Sequence, residues 1–180
     1  MKAIKKRLVT LPNPREAFEL LKSFEYLYNT QNLISPALNV SGAAATVSLG
    51  ATIVAIINGQ LVQKASGQTI TLNGPTVPNS VTPWQVYLFT MDAAGSLYCY
   101  AGQPGASLAA VQLPVIDEVS FTPGAGGGVM GPQQCVIGGL IINNASAGAF
   151  VPNTTLLNVA GLNPIAINTV GPFFPATLQM

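Results

Sequence analysis

The sequence contains no histidine, so no side chain has an ordinary pKa near neutrality and no imidazole is available as base or ligand. Ser/His/Asp and Cys/His nucleophilic sites and His-ligated metal sites are excluded with it. Charge is almost as scarce, since seven lysines and arginines and six acids make up 7% of 180 residues, against about 25% in typical soluble domains. No apolar run approaches the roughly 18 residues of a membrane-crossing helix, so no membrane partner is expected. The opening stretch, MKAIKKRLVTLP, follows its basic residues with only Leu8 and Val9 before Thr10, far short of a secretory apolar core. The expectation is a chain without a secretory segment.

What is present is a chain that is 49% apolar, with 18 glycines, 14 prolines, a net charge of +1 and a mean hydropathy of +0.45. Disordered chains have the opposite balance. The length suits one domain with its own core. A surface this neutral favours association, so a partner is expected to cover part of it.

The charges are crowded at one end. Lys2, Lys5, Lys6, Arg7, Arg15, Lys22, Glu16, Glu19 and Glu25 precede residue 26, and only Lys64, Asp92, Asp117 and Glu118 follow. That shift divides the chain into a basic arm and amphipathic helix, residues 1–35, and a β-domain, residues 36–180. Asn13 is a good N-cap, Pro14 suits the first helical position and Glu16 completes an Asn variant of the capping box. Ala17, Leu20, Leu21, Phe24, Leu27 and Tyr28 then recur at three- and four-residue steps as one apolar stripe. The stripe packs either on the chain's own β-domain or on a partner, because an isolated helix this short is marginal in water. Candidate assembly contacts in this segment are Lys5, Lys6, Arg7, Phe18, Leu21, Phe24 and Leu27. The arm alone lacks the aromatics and net basic charge of a nucleic-acid-binding domain, so no nucleic-acid partner is expected.

From residue 40 the sequence reads as strands and turns. Residues 46–57 are β-branched and apolar, Asn58-Gly59 is a hairpin signal, and residues 60–62 resume the run. Residues 84–91 and 96–100 form a second hairpin around Asp92-Ala93-Ala94-Gly95. Further strands are expected at 68–72, 111–116, 118–121, 135–143, 155–159 and 165–170, separated by Gly, Pro, Asn and Ser clusters. The fold class is mainly β, an antiparallel β-sandwich or jelly-roll-like domain preceded by one N-terminal α-helix.

Gly126, Gly128 and Gly131 match G-x-G-x-x-G, but Pro132 stands where a helix should begin, so the tract 123–132 reads as a loop and no nucleotide cofactor is expected. Asp117 and Glu118 are adjacent and would point to opposite faces of a strand. They cannot serve as acid and base across one substrate. With Asp92 they do not make a calcium loop, and no metal site is expected. Cys99 and Cys135 lie in apolar strand runs and read as free, buried thiols. Trp84, Tyr87, Tyr98 and Tyr100 are candidate exposed-aromatic contacts.

The strings WQVYLFTMDAAGSLYCYAG, LPVIDEVSF and CVIGGLIINNASAGAFVPNTTLLNVAG, over roughly residues 45–160, resemble a β-domain of structural proteins of tailed bacteriophages. The resemblance implies a virion structural protein that is made in the host cytoplasm and is not an enzyme. It carries over no active-site residue. The arm and helix lie outside the pattern and would be this protein's own attachment device. The expected function is a capsid (head) decoration or cement subunit, a homo-oligomer whose partners are other virion proteins, the major capsid or tail proteins. The alternative is a tail-fibre, spike or adaptor component that binds host-surface glycans through the aromatic hairpin.

Overall fold

The structure, a computed structural model, describes residues 30–40, 45–114, 134–145 and 148–170. Ten strands follow one another: β1 (Gln31–Asn32), β2 (Leu38–Asn39), β3 (Thr46–Leu49), β4 (Ile53–Ile57), β5 (Gln60–Lys64), β6 (Thr69–Thr71), β7 (Trp84–Asp92), β8 (Leu97–Ala101), β9 (Gln134–Asn144) and β10 (Leu162–Asn168). Among the described residues the one helical piece is a 3₁₀ turn at Leu108–Ala110. The chain is mainly β, as expected, and its strand pairings are antiparallel. The expected basic arm, N-terminal helix, strand 118–121 and glycine tract lie outside the described residues.

The strands form three sheets, ordered β1-β4-β5, β2-β3-β6 and β10-β9-β7-β8. The apolar run 46–57 is two strands in different sheets rather than one. Gly50 N–H donates to Ala37 O and Ala51 N–H to Pro36 O, which folds the chain back after Leu49 and sends β4 to other partners. Asn58 and Gly59 both have positive φ, 53° and 74°, as a two-residue hairpin turn requires, and the β4–β5 hairpin is the one expected. Residues 31–34, which the charge pattern puts with the arm, belong to the β body. Gln31 and Asn32 pair with Ile56 and Ala55, and Leu33 and Ile34 donate to Val54 O. Residues 155–159 form turns instead of a strand. Thr154 and Thr155 N–H both donate to Val151 O, Thr155 Oγ1 accepts from Val151 N–H, and Asn153 takes φ 59°, so local bonds use the groups a ladder would need. Residues 111–114 contribute only a bridge, Gln112 to Gln103.

One apolar core joins the sheets. Val47, Leu49, Ile53, Ala55, Ile57 and Ile70 from the three-stranded sheets meet Tyr87, Phe89, Met91, Ile137, Leu140 and Ile142 from the four-stranded one. A β-bulge arranges this. Phe89 pairs with Gly138 and Thr90 with Val136, so Ile137 is the extra residue, and its side chain enters the core. The neighbouring glycine is required by close approach. A Cβ on Gly138 would lie 2.5 Å from Ile167 O and 2.8 Å from Leu38 Cδ1. Buried amides then tie loops to strands. Asn144 Nδ2 donates to Val77 O (2.9 Å) and Gly148 O (2.8 Å), Gln85 Nε2 to Gly102 O (2.5 Å) and Asn32 Nδ2 to Thr169 O (2.6 Å).

Gly138→Ala is expected to lower stability by about 1–3 kcal/mol, because backbone and core must move apart. Gly148→Ala, where a Cβ meets nothing within 4 Å, should change it by less than about 0.5 kcal/mol. Urea denaturation followed by circular dichroism compares the two.

Candidate functional site

The β7–β8 hairpin closes through Asp92. Its Oδ1 accepts from the N–H groups of Ala94 (2.9 Å) and Ser96 (2.8 Å), and its Oδ2 accepts from Tyr98 OH (2.8 Å). With three donors bound, this carboxylate is a turn-building group. It also sets the Tyr98 phenol, whose pKa is raised chiefly by that hydrogen bond to Asp92. Lys64 and Asp92 are the only Lys, Arg, Asp or Glu side chains among the described residues. No cluster of three or more metal-ligating side chains occurs among them.

Successive side chains of β7 go to opposite faces of the four-stranded sheet, and this separates the expected aromatic contacts. Tyr87 and Tyr100 are not exposed. Tyr87 has 0% of its surface accessible and lies in the core, while Tyr100, at 1%, packs with Leu88 and Val136 on the other face. Their hydroxyls explain the difference in setting. Tyr100 OH donates to Gln134 Oε1 (3.0 Å), which also accepts from Thr90 Oγ1 (2.6 Å). Tyr87 OH has no described partner. Trp84 and Tyr98 are half-buried, and with five residues of strand between Trp84 and Thr90, the partner of Tyr98, they sit at opposite ends of the sheet. The four therefore do not form one stacking platform. The contacts expected at Lys5, Lys6, Arg7, Phe18, Leu21, Phe24 and Leu27 lie outside the described residues.

The outer face of the sheet holds a feature that the aromatic pattern did not single out. In register across β10, β9 and β7 run the rows Asn163–Asn143–Trp84, Ile165–Ile141–Val86 and Ile167–Gly139–Leu88. None of these residues is ionisable. Ile165 is 52% exposed and Ile167 40%, while Val86 and Ile141 are half-buried. Antiparallel sheets usually turn polar side chains to water on their uncovered side. Here the polarity is reversed on β10: Ala166 packs on the core, and its larger isoleucine neighbours face outward. In the I-A-I run the smallest residue is the one facing in. The β10 edge itself is interrupted by Pro164, which has no N–H to offer a further strand.

A polar cleft of about 220 Å³ opens between β6 and β8, lined by Thr69, Thr71, Asn73, Leu97, Tyr98, Cys99 and Tyr100. It holds no charged side chain.

Cys99 and Cys135 are free and buried. Cys99 pairs with Phe89 on one side of β7 and Cys135 with Met91 on the other, so the thiols sit on strands two spacings apart. At about 4.8 Å per spacing that is roughly 10 Å, beyond the ~7 Å limit for a disulfide. Burial raises both thiols, each to about 12, and raises Tyr87 further above its ordinary value, with Cys99 nearby as the lesser cause.

These shifts fix the sign of the alkaline response. The native state keeps protons that the unfolded chain loses once pH passes the ordinary values of 9.0 for the thiols and 10.0 for Tyr87. Their contribution is therefore complete below pH ~9 and is lost as pH rises toward 12, by up to about 1.4 kcal/mol per pH unit for each group. Denaturation midpoints measured from pH 7 to 11 should stay level and then fall. Ellman's reagent at pH 8 should label neither thiol in the native protein and both in urea. Asp92→Ala removes three acceptor contacts and should cost about 1–3 kcal/mol, read from the thermal midpoint.

Comparison of the chain with protein families, curated proteins and solved structures gives no match.

Proposed function

We propose that the protein is a non-enzymatic virion building block, a head decoration or cement subunit with a β-sandwich body that self-associates and binds the particle through residues 1–30 and β-domain contacts. The observation that carries this reading is the apolar part of the outer face away from Asp92, with Ile165 and Ile167 open to solvent. Apolar contacts of this kind hold at any ionic strength, whereas charged interfaces weaken as salt screens them. The phage-like strand phrases, the near absence of charge and the engagement of Asp92 in its turn support the same reading. A second reading, host-glycan binding, is favoured by the uncharged cleft beside Tyr98. The burial of Tyr87 and Tyr100 weighs against it.

Light scattering of the full-length chain should give the mass of a closed oligomer that is the same in 0.05 M and 1 M salt. A monomer at both would remove the assembly reading. Mass spectrometry of purified particles should find the chain at a stoichiometric share, and its absence would remove the virion reading. Glycan-array binding abolished by Thr71→Val would move the second reading ahead.

A further inference from the structure

We propose that the cleft between β6 and β8 is a binding site for one uncharged sugar ring, the terminal unit of a neutral glycan. This rests on the second reading above, glycan binding, and names its site and the class of sugar. The cleft lies where the free edges of two sheets meet, since β6 ends the order β2-β3-β6 and β8 ends the order β10-β9-β7-β8. Alternation decides what lines it. Ile70 enters the core, so Thr69 and Thr71 face outward; Cys99 and Ala101 enter it, so Tyr98 and Tyr100 lie on the outer side of β8. The cleft thus has a hydroxyl wall and an aromatic wall.

The main chain adds to both walls. Leu49 N–H donates to Gln68 O, which turns the backbone groups of residues 68 and 70 toward β3 and leaves those of Thr69 and Thr71 on the cleft side. Asp92 N–H donates to Ser96 O and Gly102 N–H to Val86 O, which leaves the backbone groups of Leu97 and Cys99 facing away from β7 in the same way. The Thr69 and Thr71 hydroxyls and the Asn73 amide have no partner among the described residues. Sugar hydroxyls both donate and accept, and these groups offer both. Tyr98 supplies the stacking face. Its ring is half-buried and its hydroxyl is held by Asp92, so the carboxylate that closes the turn also orients the ring before a ligand arrives.

Size, charge and shape narrow the ligand. A volume of about 220 Å³ is below the roughly 300–1,000 Å³ of sites for drug-sized molecules, so the cleft takes one ring and leaves the rest of a chain outside. No lining residue is charged, so an anionic group finds no counter-ion there, and the Asp92 carboxylate beside Tyr98 repels an acidic sugar. An extended peptide is excluded by the closed end. Asn73 N–H donates to Cys99 Sγ, and a Cβ on Gly74 would collide with Ala101 Cβ. The two edges are too close there for a strand, which needs about 4.8 Å on either side, to run between them.

The test presents the full-length chain with an array of neutral glycans and the same glycans capped by sialic or uronic acid, with methyl hexosides and methyl N-acetylhexosaminides as competitors in solution. Binding to neutral glycans that at least one methyl glycoside competes away is expected. Thr71→Val, on the exposed side of β6, and Tyr98→Ala should each weaken it about tenfold with β circular dichroism unchanged, whereas Tyr98→Phe, which keeps the ring, should stay within about threefold. Neutral-glycan binding that survives either Thr71→Val or Tyr98→Ala overturns this site while the glycan reading stands. Preference for the acid-capped glycans overturns the class of sugar, and binding that no methyl glycoside competes overturns the single ring. If the chain binds no glycan at all, the glycan reading falls with the proposal.

Discussion

Residues 87–91 of strand β7 are buried on both faces, and the described body is organised around that constraint. The strand pairs with β8 and β9 along its length, sends Tyr87, Phe89 and Met91 into the main core, and buries Leu88 and Thr90 on the opposite face. A segment in that position carries no charge, and Asp92, which does, stands at the strand's half-buried end. The buried polar side chains of β7, Gln85 and Thr90, accordingly bond to Gly102 O and to Gln134. The bulge opposite Phe89 and Thr90 follows from the same demand, since it brings Ile137 onto the core side while Gly138 gives Leu38 and Ile167 their room. The three-stranded sheets cover what β7 and β9 leave apolar.

Amides take the place that ion pairs hold in more charged proteins. Asn32, Gln85 and Asn144 are fully buried, and each donates to a carbonyl of a distant segment. Their own oxygens have no described partner, and leaving such an acceptor unmet costs about 1–3 kcal/mol. The arrangement fixes where the loops at residues 77, 102, 148 and 169 meet the sheets, and it does so without dependence on salt or on titration near neutrality.

Much of this was legible in the sequence. The Asn58-Gly59 turn, the Asp92 turn and the β7–β8 and β9 strands follow from turn chemistry and β-branched runs, because those signals are local. The break after Leu49 was not, since 46–57 is a uniform β-branched run and its division depends on bonds to residues 36 and 37. The turns at 151–159 were hidden for the opposite reason: Thr155, Leu156 and Leu157 look like strand residues, and a threonine side chain took up the backbone group that mattered. At the candidate site, aromatic residues drew attention because they are large, yet burial of Tyr87 and Tyr100 is set by which face the pleat assigns them. The strand at β10 is legible, but that its isoleucines face outward is not, because alternation does not say which face meets water.

The position of the two thiols has a consequence for how the body meets a change in its redox surroundings. With β7 between Cys99 and Cys135, no covalent bond joins them when the surroundings turn oxidising, and none must be reduced before the chain can fold. A body built this way meets reducing and oxidising surroundings without forming or breaking a bond between these two thiols.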